Sequence, residues 1–458
     1  IALFVGLYMY KLRRGKIVEA SLIGAAATIG VTIAGNWIPG SPLQHYFSLT
    51  REETIIALCF YGFIASVLPV WLLLCPRDYL SSFLKIGTVI VLVVAVLVAS
   101  PKLQAPAVNA QFAGGGPNVP GAIFPFCFIC IMCGAISGFH ALVSSGTTPK
   151  MVSKESEIRM IGYGSMLIEG LVGVLALVAA ASLPQGDYWA INVPLDKTEK
   201  YADKLAAMNA NTDNLPQIEE QVGGESLRGR TGGAVTLAVG MSDVFTQAIQ
   251  RVTGQDESAD VLKGVKKYWY HFAIMFEALF ILTTIDAGTR IARFLLQEAL
   301  GKIWAPFNRT DWLPGAIIAT GAITLAWGGL IWAGSIDTIW PMFGIANQLL
   351  AVIALAAVTS WIINSGRGKY AALTIVPMVF VITTTVTAGY QLISGPFHDL
   401  MAAGWHAENP SLRNWGFVIK GAMNTALTLF IITAVAIILF QAVTRWINIA
   451  RCVGATRR

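Results

Sequence analysis

Long apolar runs separated by short polar loops set the pattern of this chain. About 20 apolar residues cross the hydrocarbon core of a bilayer as a helix. By that measure candidate spans lie at 1–10, 17–38, 54–75, 84–100, 122–143, 161–183, 268–288, 313–334, 342–363, 371–393 and 416–444. The first is short and opens on Ile1 with no charged leader, so the chain is expected to begin inside a helix of something longer.

Lys and Arg set the orientation, because basic residues concentrate in cytoplasmic loops. With Lys11, Arg13, Arg14 and Lys16 placed inside, Arg77 and Lys85 also fall inside. So do Lys150, Lys154 and Arg159, then Arg290, Arg293, Lys302 and Arg309, then Arg367 and Lys369, then Arg445, Arg451, Arg457 and Arg458. The short outer loops keep only Arg51, Lys102, Arg413 and Lys420.

Within 122–143 the character changes abruptly. The apolar run Ile123 to Cys133 gives way to Gly134-Ala-Ile-Ser-Gly-Phe-His-Ala-Leu-Val-Ser-Ser-Gly-Thr-Thr-Pro149. Each interior glycine costs a helix roughly 1 kcal/mol relative to alanine. Unpaired backbone at membrane depth is tolerated only inside protein or along a wet cavity. A broken helix beside a substrate path is expected.

The one large polar segment is 184–267, read as an extracytoplasmic loop between membrane helices 1–183 and 268–458. Met241, Val244, Phe245, Ala248, Ile249 and Val252 recur at helical spacing, with Ser242, Asp243, Thr246, Gln247, Gln250 and Arg251 on the other face. Such a helix either rests on the outer membrane surface or forms a lid over a vestibule. A second amphipathic piece, 290–303, is expected on the inner surface.

Composition sharpens this picture. Hydrophobic residues make up 55% of the 458 and charged residues only 13%, against about 25% charged in soluble domains. The fold class is therefore an all-α, polytopic transmembrane bundle in lipid. The net charge of +6 reflects inner loops and points to no nucleic acid. The chain carries no phosphate-binding Gly-Lys-Ser/Thr loop, no His-Glu-x-x-His and no Gly-x-Ser-x-Gly, so an enzyme or a primary pump is not expected. Cys127, Cys130 and Cys133 are spaced like part of an iron–sulfur motif but lie in a continuous apolar run. No cofactor or metal is expected, and the oligomeric state stays open.

Intramembrane charges are functional candidates because insertion is costly. Glu169, Glu277 and Asp286 qualify, and Thr283 and Thr284 can offer oxygens to a hard cation. Coupling to H⁺ or Na⁺ would rest on these five. Asp286 can instead pair with Arg290 four residues on. For substrate, the candidates are Ser137, Gly138, His140, Ser144, Ser145, Thr147 and Thr148. A half-helix start suits a carboxylate; small hydroxyls and a lone histidine can also serve only as helix–helix glue.

Four long motifs occur in order: Leu68-Pro-Val-Trp-Leu-Leu-Leu-Cys-Pro-Arg-Asp-Tyr-Leu80, Ser137 to Lys150, Trp269-Tyr-His-Phe-Ala-Ile-Met-Phe-Glu-Ala-Leu-Phe-Ile-Leu282 and Trp340-Pro-Met-Phe-Gly-Ile-Ala-Asn-Gln-Leu-Leu350. Together they resemble the carbon-starvation protein A (CstA) family. The resemblance implies a secondary transporter in the bacterial inner membrane, importing peptides under carbon starvation or, as the alternative, pyruvate with a proton. It also implies a five-plus-five inverted-repeat core like the LeuT fold. In that frame 122–143 would be core helix six, 161–183 helix seven and 268–288 helix eight, with core helix one upstream of residue 1. The rival from another class is a membrane-bound nutrient sensor that recruits a cytoplasmic partner through 290–310.

Overall fold

The computed structural model describes residues 1–35, 37–38, 41–117, 121–146, 148–208, 210, 215–254, 260–309, 312–333, 336–405 and 414–455. Thr147 and the orienting charges Arg413, Arg457 and Arg458 lie outside them. The described residues contain helices and no strands. In chain order these are α1 (Ala2–Leu7), α2 (Ile17–Gly35), α3 (Gln44–Phe47), α4 (Arg51–Val67), α5 (Leu74–Ala99), α6 (Ile123–Ala135), α7 (Gly138–Gly146), α8 (Glu155–Arg159) and α9 (Ser165–Ala181). Then come α10 (Gln185–Asn192), α11 (Thr198–Ala207), α12 (Leu215–Val222), α13 (Ala234–Thr253), α14 (Asp260–Gly301) and α15 (Leu313–Ala333). The last four are α16 (Ile336–Asn364), α17 (Ala372–Ser394), α18 (Pro396–Trp405) and α19 (Trp415–Ala455).

Among the described residues, eight stretches are long and apolar enough to cross a membrane: 17–35, 74–99, 155–181, 264–301, 313–332, 342–364, 368–405 and 415–449. Three expected spans are not among these eight. The first is the short apolar helix 2–12. The 122–143 span is split into α6 and α7. The 54–75 span ends early, at Val67, and starts early, at Arg51.

Local chemistry explains these last boundaries. Thr50 and Glu53 form a reciprocal capping box, the Glu53 carboxylate accepting from Thr50 N at 2.8 Å. At the other end Leu68 precedes Pro69 and is extended, with ψ 149°, because proline disfavours helix at the residue before it. The chain restarts as α5 at Leu74, ten residues before the apolar run suggested, with Pro76 tolerated in its first turn. Arg77 and Lys85, read as loop charges, therefore sit inside a helix.

The chain folds as two compact units, each built from discontinuous pieces: 1–111 with 165–332, and 112–164 with 333–458. The core of the first unit joins α5, α9, α13 and α14, with Leu92, Ala179, Val239, Val244 and Phe276 buried together. Phe245 stacks on Trp269 at 4.0 Å. The core of the second joins α6, α16, α17 and α19 through Phe126, Ile345, Leu349, Val381 and Val435.

The amphipathic segment 234–253 is the single helix α13, bounded by Gly233 and Gly254 at φ 89° and 68°. It packs on α5, α9 and α14, and its buried face extends beyond the apolar stripe to Ser242 and Thr246. Their hydroxyls donate to Val239 O and Ser242 O at 2.7 Å, so burial leaves neither unpaired. The segment is thus part of the first unit's core. The piece 290–303 is likewise no separate surface helix: its first three turns continue α14, with Arg290, Ile291, Arg293 and Gln297 buried.

Helices α9 and α13 meet at Gly240, where a Cβ would stand 2.3 Å from Ala179 O. Gly240→Ala is therefore expected to destabilise by about 1–3 kcal/mol through overpacking. Gly170→Ala, with nothing within 4 Å, is expected to be neutral or to gain up to ~1 kcal/mol of helix propensity. Thermal unfolding of the purified protein checks the contrast; equal midpoints for the two variants contradict it.

Candidate functional site

The expected break is present. α6 ends at Ala135, α7 begins at Gly138, and Ile136–Ser137 lie between them outside helical hydrogen bonding. Asn347 on α16 holds this junction. Its side-chain oxygen accepts from Phe139 N at 2.8 Å and from the Ser137 hydroxyl at 3.2 Å. Ser137 in turn serves α7, its Oγ accepting from His140 N at 3.4 Å and its carbonyl from Ala141 N at 3.1 Å. Phe139 N and His140 N are orphan donors of a helix start, and the Ala141 bond is the first regular one of α7. Gly138 is required by packing: a Cβ there would stand 2.3 Å from Asn347 O and 2.5 Å from the Leu350 side chain.

The other substrate candidates are arranged differently. Ser144 and Ser145 lie at the far end of α7, and their hydroxyls donate back to Ala141 O and Leu142 O at 2.9 and 3.2 Å. Thr148 begins a short 3₁₀ turn. The His140 side chain is exposed. Ser137 and Gly138 are thus brought together at the break, while Ser144, Ser145 and Thr148 sit about two turns or more beyond it. Residues Ser137 to Thr148 all belong to the second unit.

The ion candidates all belong to the first unit. Glu169 lies on an exposed face of α9, and Glu277 is half-buried on α14. Thr283 and Thr284 diverge. Thr284 is exposed and donates to Phe280 O at 3.2 Å. Thr283 turns inward, its Oγ1 3.2 Å from Asp78 Oδ1 and 3.2 Å from Lys85 Nζ. An ammonium thus already occupies one side of this hydroxyl. Lys85 also lies 4.5 Å from the Phe280 ring centre, in cation–π contact.

Asp286 is fully buried and lies between two arginines. Arg77 Nη1 is 3.4 Å from one oxygen and Arg290 Nη2 3.8 Å from the other. The expected pairing with Arg290 is there, and Arg77 adds a second partner from α5. Arg77 also contacts Asp78 at 2.7 Å, donates to Leu282 O at 3.2 Å and donates to the Tyr61 hydroxyl. Arg290 donates to Ala65 O and, at 3.1 Å, to Leu68 O; Arg293 donates to Ser66 O at 2.7 Å. These three carbonyls belong to the last turn of α4 and the residue after it.

Sequence reasoning missed Arg77, Asp78, Lys85 and Asn347 as site residues. Arg77 and Asp78 were hidden by reading 76–83 as a loop, and Lys85 by counting it among the orienting charges at the start of a span. Asn347 carried a usable signal, an amide within the apolar run of its motif, but its partner is distant in sequence.

This geometry defines a multi-pass α-helical membrane protein with one interrupted helix and a buried charge cluster. The family model described as "Carbon starvation protein CstA" matches residues 1–388. The chain belongs to that family. It is 44% identical over 414 residues to "Peptide transporter CstA" of Mycobacterium tuberculosis, covering 86% of this chain and 53% of that protein. It is 38% identical over 447 residues to "Peptide transporter CstA" of Bacillus subtilis, covering 97% and 69%. It is 36% identical over 499 residues to "Pyruvate/proton symporter BtsT" of Escherichia coli, covering 98% and 68%. The chain spans about half the length of the first of these relatives. No solved structure matches it.

Three substitutions test the assembly. Asp286→Asn leaves Arg77 and Arg290 facing each other without a buried carboxylate, and is expected to cost roughly 3–5 kcal/mol; Glu277→Gln is expected to leave the thermal midpoint nearly unchanged. Asn347→Leu strands the Phe139 amide, at about 1–3 kcal/mol, and faster hydrogen exchange at residues 138–141 is the readout. Unaltered exchange there would remove Asn347 from the role of cap.

Proposed function

We propose that this chain is the membrane-embedded part of a secondary transporter that imports peptides across the bacterial inner membrane during carbon starvation. The observation that carries this reading is the interrupted helix α6–α7, held open by a side chain from another helix. Interrupted helices place backbone polar groups at membrane depth, where substrates bind in many transporter folds. Two relatives named as peptide transporters support the substrate class.

Ser137, Gly138 and Asn347 anchor the substrate side in this proposal, with His140 at the exposed face beside them. Recognition of a peptide's amide and carboxylate groups needs hydrogen-bonding side chains at fixed geometry, which the Asn347 clamp provides. On the coupling side, Glu277, half-buried on α14, and Glu169 on α9 carry the response to H⁺ or Na⁺, with Asp286, Thr283 and Thr284 as further candidates. The LeuT-like inverted repeat remains the architecture proposed for the complete protein.

Pyruvate with a proton is the second reading. It is favoured by the relative named as a pyruvate/proton symporter, whose match covers 98% of this chain. A nutrient sensor is less well supported: Arg290, Arg293 and Gln297, in the segment a partner would have to reach, are turned inward and buried.

Uptake into proteoliposomes of the full-length protein tests the proposal. Labelled di- and tripeptides are expected to accumulate in response to an inward proton or sodium gradient. Pyruvate uptake without peptide uptake selects the second reading. Uptake indifferent to both gradients overturns the coupling. Asn347→Leu and Glu277→Gln are each expected to lower the initial rate at least tenfold, a loss of about 1.4 kcal/mol of transition-state stabilisation.

A further inference from the structure

The first unit contains a second acidic site, away from the charges of α5 and the inner end of α14. Asp187 lies in the first turn of α10 and is 1% exposed. Among the described residues neither of its carboxylate oxygens has a hydrogen-bond partner. An ionised carboxylate is not left in that state, because burial without a partner penalises the charged form heavily. Its neighbours add to the penalty. On α13, Asp243 is close enough for its charge to disfavour that of Asp187, and Lys266 on α14 acts in the opposite sense. Lys266 is already committed: its Nζ is 2.6 Å from Asp243 Oδ1 and donates to Gln221 Oε1 on α12 at 2.7 Å.

The remaining charges around α10 point elsewhere. Glu219 on α12 accepts from Leu227 N at 2.7 Å, and Glu220 is exposed. Glu225 is engaged by Arg230 at 3.4 Å, by the Tyr270 hydroxyl at 3.2 Å and by His271 at 3.9 Å. Arg228, beside the turn whose Gly229 N donates to Ala190 O, is exposed. The charges of Asp187, Asp243 and Lys266 therefore act on one another where α10, α12, α13 and α14 pack together.

We propose that Asp187 is a proton-binding site of the 184–267 segment: the acid is neutral while α10 is seated against α13, and its ionisation loosens that contact. A proton suits the site better than a sodium ion, because the Lys266 ammonium already stands against Asp243 and repels a second cation. Burial first, and Asp243 second, push the Asp187 carboxyl up to about 6. The sign follows from linkage. The seated state binds the proton more tightly than an opened one with an ordinary carboxylate near 3.8. Seating is therefore favoured below that ordinary value, and the advantage is lost as pH rises through about 6. This site is independent of the transport reading above.

Hydrogen exchange of the full chain in lipid nanodiscs tests it. After correction for intrinsic rates, amides 185–192 are expected to exchange about tenfold faster near pH ~7.5 than near pH ~5. Asp187→Asn, an isostere of the neutral acid, is expected to stay protected at both values. Asp243→Asn, which removes the like charge, is expected to shrink the wild-type step and supplies the test if Asp187→Asn does not fold. No pH step in the wild type, an undiminished step in either variant, or protection restored near pH ~7.5 by replacing potassium with sodium would each overturn the assignment.

Discussion

The last carbonyl groups of α4 have no partner within their own helix, and the charged side chains of the first unit are arranged around that fact. Pro69 stops α4, so Ala65, Ser66 and Leu68 present unpaired oxygens. In water such groups would be solvated. Here Arg290 and Arg293 reach them from α14. A guanidinium suits the task, because it offers several donors in one plane and stays charged. Burying it creates a new requirement, a counter-charge, which Asp286 meets together with the partial negative charge of the helix end. Arg77 completes the arrangement by holding Asp286 from α5 while pairing with Asp78. One proline thus leads, step by step, to a helix restart, a pair of buried arginines and a buried carboxylate.

The same sequence of causes explains what could and could not be read from the residues alone. Apolar run length located most spans, because each must bury or expose to lipid about 20 residues whatever its neighbours are. It failed between 67 and 84, where Trp71 to Leu74 keep the run apolar across a break set by Pro69, and where Arg77 is charged yet buried. It also stopped α14 near 288, since four basic residues follow; the helix continues because two of them are bound to α4. On α13 the stripe identified the helix but not its depth, since Ser242 and Thr246 satisfy themselves on their own backbone. The α6–α7 break was legible in its glycines and serines. Its cap was not, because Asn347 meets Phe139 across about 200 residues of sequence, and no local pattern encodes that pairing.

The two units divide the buried polar chemistry between them. Among the described residues, the buried polar groups of the second unit are neutral, Asn347, Gln348, Thr385 and Thr428 among them. The first also buries charges, Asp187, Lys266, Asp286, Arg290 and Arg293, with Arg77, Asp78 and Lys85 partly buried beside them. Neutral groups at fixed positions recognise amides and carbonyls by hydrogen bonds, at modest desolvation cost. Ionic groups respond to protons, cations and electrical potential. The candidate substrate residues fall in the second unit and the candidate coupling residues in the first, which holds the buried charges.

That separation constrains any coupling mechanism. A cation bound in one unit influences a substrate bound in another only if both bias the same two-state element. The chain passes between the units in the 111–112, 164–165 and 332–333 stretches. The second follows the π-helical turn Met160–Gly164, and such turns are local departures from regular helix that recur at functional positions. Glu169 lies one turn beyond it on α9. Of the five coupling candidates it is the nearest in sequence to a crossing between the units. Asp286 is the least free to play that part, because protonating it would release two arginines and, through them, the end of α4. A residue that the fold depends on so heavily is a poor switch, and the coupling role is better sought at Glu277 and Glu169.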